Sequence, residues 1–295
     1  MTGSARRGVA TVPDATASAR VRGMTRAELQ WRADENFREM YRDLARGSAH
    51  GVVVEREGAC LVATGVPVAL FNPAFPPASV CDETAKRLDR FLNVTRTFFR
   101  RRGLPWALVV PEHEPGRRFG PPGWLLDAGL YPFQTLPVLV HATLPGERWP
   151  RPNPRLDIRV SRTPDEVADH RALLEAGFGI PETMSNVVLP TQPATPLLTL
   201  YVAYRSDTGV PVGSAALCEG GGVAGVYNVA THPMHRRMGV AATLMRRLLE
   251  DARARGLATC VLQSSMEGRP LYARLGFERL STYSVYGDGA VGQGI

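Results

Sequence analysis

The chain has 295 residues, a length that favours two domains over one. Hydrophobic residues make up 44% of it, yet no apolar run reaches the roughly 18 to 20 residues that a membrane-spanning helix needs. The net charge of +7 favours an anionic partner such as nucleic acid or an anionic cofactor. All basic residues except Lys86 are arginine, and no compact basic run is interleaved with aromatic residues, so a nucleic-acid partner is not expected.

Cysteine usage and the first residues both favour a cytoplasmic location. The cysteines form no CxxC pair and combine with no histidine at a metal-ligand spacing, so we expect reduced, mostly buried thiols and no zinc site. They are Cys60, Cys81, Cys218 and Cys260. Residues 1–22 carry arginines among small residues and lack the apolar core of a secretory signal. We predict that they form a disordered leader.

Residues 23–144 are predicted to form a first α/β domain. A helix from about Glu83 ends at Arg101-Arg102-Gly103-Leu104, and the strand Ala107–Val110 follows it. The stretch Pro145–Pro154 contains four prolines in ten residues, which can sustain neither a helix nor a central strand. This stretch is therefore predicted to be a semi-rigid linker between two domains.

Residues 155–295 are predicted to form a second domain. Leu156–Val160 is strand-like, and Thr163-Pro164-Asp165-Glu166 is typical of the start of a helix, here ending near Phe178. A second short helix is predicted at Pro181–Val188, and an antiparallel meander of three strands follows. Its strands are Leu197–Tyr204, Val212–Leu217 and Val223–Ala230. The remaining elements are a helix from about Val240 to Arg255, the strand Thr259–Gln263, a helix containing Pro270–Leu275 and a strand around Ser281–Tyr286.

The ends of the two segments share a pattern. Arg101–Leu104 matches Ala254-Arg255-Gly256-Leu257, and a strand follows each of them. Further on, Leu125–Leu130 parallels Tyr272–Phe277. The similar order and spacing predict an internal duplication of one α/β unit.

The segment Val229–Ala241 carries the strongest chemical signal. A strand runs into a loop with Arg236 and Arg237, and then into an amphipathic helix. Gly239 and the small Ala241 let an anion approach the backbone, where the free N–H groups and the dipole of the helix favour negative charge. This pattern predicts a phosphate-binding site. The plainer alternative is a glycine-containing helix start with solvated arginines.

With a second element about thirty residues later, this segment resembles the GNAT superfamily of N-acetyltransferases. The pyrophosphate motif of that family, Q/R-x-x-G-x-G/A, falls on Arg236, Gly239 and Ala241. Its L-Y-x-x-x-G-F element falls on Leu271–Phe277. The resemblance covers roughly residues 156–286. It implies a mixed α/β sheet whose fourth and fifth strands splay apart, and hence tandem GNAT-like domains of which the C-terminal one is active.

The resemblance also implies acyl-CoA-dependent transfer to an amine, without a metal. The amine would attack the thioester of acetyl-CoA or a related acyl-CoA, and Tyr272 would protonate the leaving thiolate. Alternatively, Tyr272 is only an aromatic residue that packs the helix against the sheet. The residues implied to hold the cofactor are Val229, Ala230 and Thr231 at the pantetheine arm and Arg236, Arg237, Met238, Gly239, Val240, Ala241 and Ala242 at the pyrophosphate. Ser265, preceded by Ser264, stands where the family often has an asparagine and is the remaining candidate for a pantetheine contact.

The general base stays open between several residues. Glu219 is the nearest acid, but its place beside a glycine-rich turn is also typical of a solvated hairpin residue. His232 follows the end of a strand, and it either relays a proton or caps the loop. Asn228 is a candidate polar anchor in the cleft.

The first domain departs from the family pattern. Where the pyrophosphate motif should lie, Phe71–Pro77 contains prolines that remove backbone donors. Leu125 occupies the position equivalent to Tyr272. We therefore expect a degenerate GNAT-like copy that has lost cofactor binding and that shapes the acceptor cleft or an interface.

The expected acceptor is a small or moderately polar primary amine. The loop Gly179–Gln192 should select it, and this loop contains Glu182 but is otherwise apolar or neutral, unlike a site for a polycation. Two other functions stay open: a non-catalytic acyl-CoA binder or sensor, and an aminoacyl-tRNA-dependent transferase of the same fold. A monomer and a homodimer stay open as well.

Overall fold

The computed structural model describes residues 23–77, 85–112, 123–142, 149–182, 185, 195 and 197–289. The predicted leader and most of the predicted helix Pro181–Val188 lie outside these ranges. Within them, eleven strands form one mixed sheet. The strands are β1 Val52–Arg56, β2 Ala59–Ala63, β3 Pro73–Phe75, β4 Ala107–Glu112, β5 Leu130–Ala142, β6 Leu156–Val160, β7 Leu198–Arg205, β8 Pro211–Gly220, β9 Val223–Thr231, β10 Thr259–Gln263 and β11 Glu278–Asp288. The helices are α1 Arg26–Gly47, α2 Ala85–Arg100, α3 Trp124–Asp127, α4 Pro164–Phe178, α5 Val240–Ala254 and α6 Arg269–Arg274.

The two halves of the chain exchange their last strands at the centre of the sheet. The strand order is β1-β2-β3-β4-β11-β5-β10-β9-β8-β7-β6. β11 therefore lies between β4 and β5 of the N-terminal half, and β5 pairs with β10 of the C-terminal half. The ring of His141 on β5 lies 5.0 Å from that of Phe277, which directly precedes β11. Each half thus completes the sheet of the other.

The halves repeat one arrangement of elements, as the duplication predicts. The order α2–β4–α3–β5 in the first half corresponds to α5–β10–α6–β11 in the second. β3 and β4 form a parallel pair, and so do β9 and β10. The predicted meander is confirmed, because β7, β8 and β9 pair antiparallel in sequence. The fold is therefore a tandem α/β arrangement on one mixed sheet.

Helices cover both faces of the sheet. Phe37 of α1 and Val167 of α4 belong to one apolar cluster with Leu200 of β7, and they define the α1/α4 face. Leu244 of α5 packs with Tyr201, the next residue of β7, and so lies on the α5/α6 face. Successive residues of a strand point to opposite faces, so the two clusters lie on opposite sides of the same sheet. The cofactor-binding elements implied by the sequence therefore share the α5/α6 face.

Helix α1 of the first half locks onto the β8–β9 hairpin of the second. Asn36 is wholly buried and donates hydrogen bonds to the carbonyl oxygens of Cys218 and Gly220 at 3.1 and 2.9 Å. Its own Oδ1 accepts a bond from the Tyr227 hydroxyl at 2.7 Å. A Cβ on Gly225 would lie 1.9 Å from this Oδ1, so only glycine lets the strand approach the helix. The first half thereby fixes the base of the strand that leads to the candidate site.

Helix α4 begins where the sequence predicts. The Thr163 hydroxyl accepts a hydrogen bond from the Glu166 amide, and the Glu166 carboxylate accepts one from the Thr163 amide. Such a reciprocal capping box satisfies donors that a helix start otherwise leaves free. Gly179 ends the helix in the left-handed conformation at φ 68°.

Candidate active site

A β-bulge lies in β9 next to the candidate site. Ser214 of β8 pairs with Ala230 and Ala216 pairs with Tyr227, so β9 has one residue more than β8 between these pairs. Asn228 lies in this bulge with φ 55°, a left-handed conformation that asparagine tolerates better than most residues. The bulge re-aims the last residues of β9.

Beyond the bulge, β9 and β10 no longer pair. Their parallel register comprises only Cys260 with Ala224 and Val261 with Gly225. β9 continues to Thr231, whereas the other edge of β10 stays paired with β5 up to Gln263 and Val138. A wedge therefore opens between the carboxyl ends of β9 and β10, and the β9 edge at Val229–Thr231 is left without β10 as a partner. The family resemblance implies a wedge at this position.

The loop after β9 presents backbone amides. Arg237 and Gly239 have φ values of 68° and 76°, and Gly239 is the N-cap of α5 without a side-chain cap. The first hydrogen bond of the helix runs from the Thr243 amide to the Gly239 carbonyl at 3.0 Å. The amides of Val240, Ala241 and Ala242 precede this bond and have no intrahelical acceptor. These amides and the positive end of the helix dipole make a cradle suited to an anion.

Asn153, from the predicted linker, forms hydrogen bonds that hold the cradle loop in place. Its side-chain amide donates to the Met238 carbonyl at 3.0 Å, and its backbone amide donates to the Thr243 hydroxyl at 3.1 Å. That hydroxyl in turn donates to the Gly239 carbonyl at 2.9 Å. The Met238 and Gly239 carbonyls are thus engaged within the protein.

The two arginines of the loop are exposed. Arg236 donates a hydrogen bond from Nη2 to the Gly177 carbonyl at the end of α4, at 3.3 Å. This contact ties the loop to the helix on the opposite face. Arg237 is exposed as well, so both positive charges lie at the surface beside the cradle.

Tyr272 lies on α6 near the end of β10 and is 8% exposed. Its ring packs edge-on against Phe277 at 5.6 Å between centroids. A Cβ on Gly268 would lie 3.0 Å from Tyr272 Cε2 and 3.4 and 3.5 Å from the hydroxyls of Ser264 and Ser265, so these side chains converge on one turn. Burial raises the pKa of the Tyr272 phenol well above its usual value. No hydrogen bond to the phenol hydroxyl is formed within the described residues.

Comparison with known proteins identifies the segment that contains this geometry. Residues 171–277 match the model of the acetyltransferase (GNAT) family. This segment is a GNAT acetyltransferase domain. It contains the wedge strands, the cradle and Tyr272. Members of this family use acetyl-CoA as cosubstrate, for which the anion cradle is suited.

Solved GNAT structures extend the likeness to most of the chain. A GCN5-related N-acetyltransferase from Kribbella flavida has a TM-score of 0.63 and 21% identity, over 86% of this chain and 93% of that one. A GCN5-related N-acetyltransferase from Sphaerobacter thermophilus has a TM-score of 0.59 and 16% identity, over 81% and 82%. A tandem GNAT protein from the clavulanic acid biosynthesis pathway has a TM-score of 0.56 and 14% identity, over 86% and 94%. At these identities the likeness concerns the fold, and it extends the GNAT architecture to the first half. No curated protein matches the sequence.

The structure does not bring Glu219 to the GNAT site. Glu219 pairs with Ala224 at the start of β9, whereas the wedge opens beyond Tyr227. At about 3.3 Å per residue, five residues from Ala224 to Val229 separate them by roughly 17 Å. Its carboxylate forms an ion pair with Arg255, which also donates to the Thr199 hydroxyl at 3.1 Å. Of the two alternatives for Glu219, a candidate base or a hairpin residue, the geometry matches the hairpin residue.

His232 is a loop cap in the structure. Its Nδ1 accepts a hydrogen bond from the Met234 amide at 3.3 Å at the start of a short 3-10 turn, Pro233–His235. Of the two alternatives for this histidine, the geometry matches capping. Ser264 and Ser265 are also engaged locally, since Ser264 donates to the Ser265 carbonyl at 2.7 Å and Ser265 accepts from the Gly268 amide at 3.2 Å.

Sequence reasoning missed two residues of the site. Asn153 was hidden in a proline-rich stretch, where a single asparagine carries no signal of its own. Gln263 ends the predicted strand Thr259–Gln263 at the mouth of the wedge. A polar residue that closes an otherwise apolar strand was the available signal.

The described part of the chain gives two further results. None of its helices is long and apolar enough to cross a membrane. Nor does it contain three or more histidine, cysteine, aspartate or glutamate side chains grouped to hold a metal ion.

Proposed function

We propose that this protein transfers an acetyl group, or a related acyl group, from acyl-CoA to a small primary amine. The observation that carries the proposal is the convergence of three features at one end of β9 and β10. These features are the anion cradle at α5, the wedge between the strands and the buried phenol of Tyr272. They lie within the segment that matches the GNAT family.

The cradle fits the pyrophosphate of the cosubstrate. The amides of Met238–Ala242 lie at the positive end of α5, and nothing lies within 4 Å of a Cβ placed on Gly239. Arg236 and Arg237 add positive charge at the rim. The unpaired β9 edge at Val229–Thr231 would hold the amide groups of the pantetheine arm, as an added strand does. Ser265 stays a proposed contact of this arm.

The reaction proposed is direct transfer. The amine nitrogen attacks the thioester carbonyl, the C–N bond forms, and the C–S bond breaks to release the thiolate. The nitrogen loses one proton to solvent, the thiolate gains one from Tyr272, and the resulting tyrosinate regains a proton from solvent. Tyr272 holds a proton at neutral pH and so has one to give to the thiolate. Burial raises its pKa, which makes it a weaker acid than a free tyrosine, so its role as donor rests on its position in the GNAT motif and not on this shift.

A cytoplasmic setting is part of the proposal. Cys60, Cys218 and Cys260 are buried free thiols in the structure. Burial raises their pKa values, which disfavours the reactive thiolate form. A reducing compartment suits such residues.

The test is a thiol-release assay with acetyl-CoA and a panel of primary amines, run on the wild type and on Tyr272→Phe. Loss of the proton donor should lower kcat about 100-fold and leave the Kd of acetyl-CoA unchanged. The control is Tyr131→Phe, since Tyr131 is 54% exposed on β5. Turnover that is equal in wild type and Tyr272→Phe would contradict the role of the phenol. Acetyl-CoA binding without turnover of any amine would instead favour a non-catalytic binder.

A further inference from the structure

Gln263 carries a side-chain amide that the protein does not use. Both polar atoms, Oε1 and Nε2, are buried and have no hydrogen-bond partner. Leaving such a group unsatisfied destabilises the fold, and a leucine would fill a similar volume without this penalty. Unsatisfied buried groups are few in native proteins, and each one calls for a reason. A ligand that completes the hydrogen bonds is such a reason.

The amide lies on the α1/α4 face of the sheet. Along β10, Cys260 and Leu262 pack on the α5/α6 face, whereas Val261 packs in the cluster of α1. Side chains alternate, so Gln263 shares the face of Val261. Extending the parallel register two residues beyond Val261 and Gly225 places Gln263 level with Tyr227, directly before the bulge in β9.

A second unsatisfied group lies in the same row. Gln263 pairs with Val138 of β5, and Val138 pairs with Ser281 of β11. The Ser281 hydroxyl is also buried without a hydrogen-bond partner. Residues directly opposite each other on paired strands point to one face, so the amide and the hydroxyl flank Val138 about 10 Å apart. None of the three described residues of this row is charged; the nearest charge given by a contact is that of Arg26 on α1, which donates a hydrogen bond to the Leu280 carbonyl beside Ser281.

The face of the sheet on which this row lies determines which of the two substrates can contact it. The cradle at α5 and Tyr272 on α6 both lie on the α5/α6 face, so the cosubstrate enters the wedge from there. The acceptor would then reach the thioester from the opposite side of the wedge, the α1/α4 face. Gln263 lies on that side at the point where β9 and β10 part.

We propose that Gln263, assisted by Ser281, binds the acceptor, and that the acceptor is an amine with a neutral amide or hydroxyl group close to its nitrogen. This inference rests on the proposed function and adds a substrate class to it. An amide both donates and accepts hydrogen bonds, so it complements a similar group on the acceptor. A buried polar site discriminates strongly against ligands that cannot satisfy it.

The test compares amines of similar shape. Glycinamide and isobutylamine form one pair, and β-alaninamide and isopentylamine form another. The variants are Gln263→Leu, the milder Gln263→Met, and Ser281→Ala. Thr259→Val is the matched control, because the Thr259 hydroxyl is also buried and unpartnered on the same face, but four residues away at the other end of β10.

The wild type should prefer the amides over their isosteres in kcat/KM by at least about tenfold, and the two Gln263 variants should lose most of this preference. Ser281→Ala should reduce the preference for the amide in the pair of β-alaninamide and isopentylamine, and Thr259→Val should preserve the preference in both pairs. The Kd of acetyl-CoA should be the same in the wild type and in all variants. Preference that survives in both Gln263 variants would overturn the inference while the proposed function stands. The same loss in Thr259→Val would overturn it too. If the wild type turns over no amine at all, the proposed function fails and this inference falls with it.

Discussion

At the scale of single residues, His170 shows how burial fixes a protonation state. The imidazole lies on α4, and its Nδ1 is 3.2 Å from the Tyr201 carbonyl oxygen. Nδ1 therefore carries the proton in the neutral ring, and the buried Nε2 has no partner. A second proton would place an unpaired charge inside the protein, so burial lowers the pKa of His170 to about 4.

This lowered pKa predicts a loss of stability in mild acid. The unfolded histidine titrates near 6.5, so between that pH and about 4 the unfolded state binds more protons than the folded state. The contribution of His170 to stability is fully present above pH 6.5. From this group alone, the free energy of unfolding should be about 2 kcal/mol lower at pH 5. Urea denaturation at pH 7 and pH 5 measures the difference.

His170→Asn is the comparison variant, because an asparagine amide can still donate to the Tyr201 carbonyl without titrating. Its free energy of unfolding should vary less between the two pH values than that of the wild type. An equal decrease in both proteins would show that other groups cause the acid sensitivity.

At the scale of elements, α4 and β9 approach each other at a glycine. A Cβ on Gly177 would lie 2.8 Å from the Cβ of Ala230, in the last part of β9 beside the wedge. The contact also brings the Gly177 carbonyl to Arg236 of the cradle loop. The end of α4 thus sets the position of both the strand and the loop.

Gly177→Ala should therefore destabilise the protein although alanine favours helices. Overpacking costs about 1–3 kcal/mol, and the gain in helix propensity of about 1 kcal/mol offsets only part of it. The control is Gly47→Ala at the end of α1, where nothing lies within 4 Å of an added Cβ. Urea denaturation should show a lower midpoint for Gly177→Ala only. A midpoint equal to or above that of the control would contradict the close contact.

Local signals in the sequence predicted these elements well. The strand Thr259–Gln263 has the predicted bounds, and α4 starts at the predicted cap. The sequence could not predict which residues of distant segments lie together. The place of Glu219 depends on the register of β8 with β9, and that of Asn36 on packing between the halves. Neither register nor packing between distant segments leaves a mark in a short window of sequence.

At the scale of the whole molecule, the exchange of β5 and β11 joins the halves. β11 pairs with β4 and β5, both from the first half, and with no strand of its own half in the described sheet. β10 relies on β5 in the same way on one edge. The sequence shows two similar units. It does not show with which half the final strand of each unit pairs, because both final strands carry comparable apolar patterns.

The exchange predicts that the second half cannot act alone. A fragment of residues 155–295 would expose the unpaired edge of β10 and leave β11 without partners, which promotes aggregation. We expect it to be insoluble or unable to bind acetyl-CoA, and co-expression with residues 1–154 should restore a soluble complex. Size-exclusion chromatography and acetyl-CoA titration measure both outcomes. A monomeric fragment that binds as tightly as the full chain would contradict the account.

The central claim is that the amides at the start of α5 bind the pyrophosphate of acetyl-CoA, and Ala241→Glu tests it most directly. A glutamate there places negative charge in the cradle, yet it suits the first turn of a helix, so the fold should persist. The matched control is Ala254→Glu, which makes the same change at the exposed last residue of α5. Isothermal titration with acetyl-CoA should give binding by wild type and control, and affinity at least about tenfold lower for Ala241→Glu. Equal affinity in all three proteins, or no binding by a folded wild type, would contradict the claim.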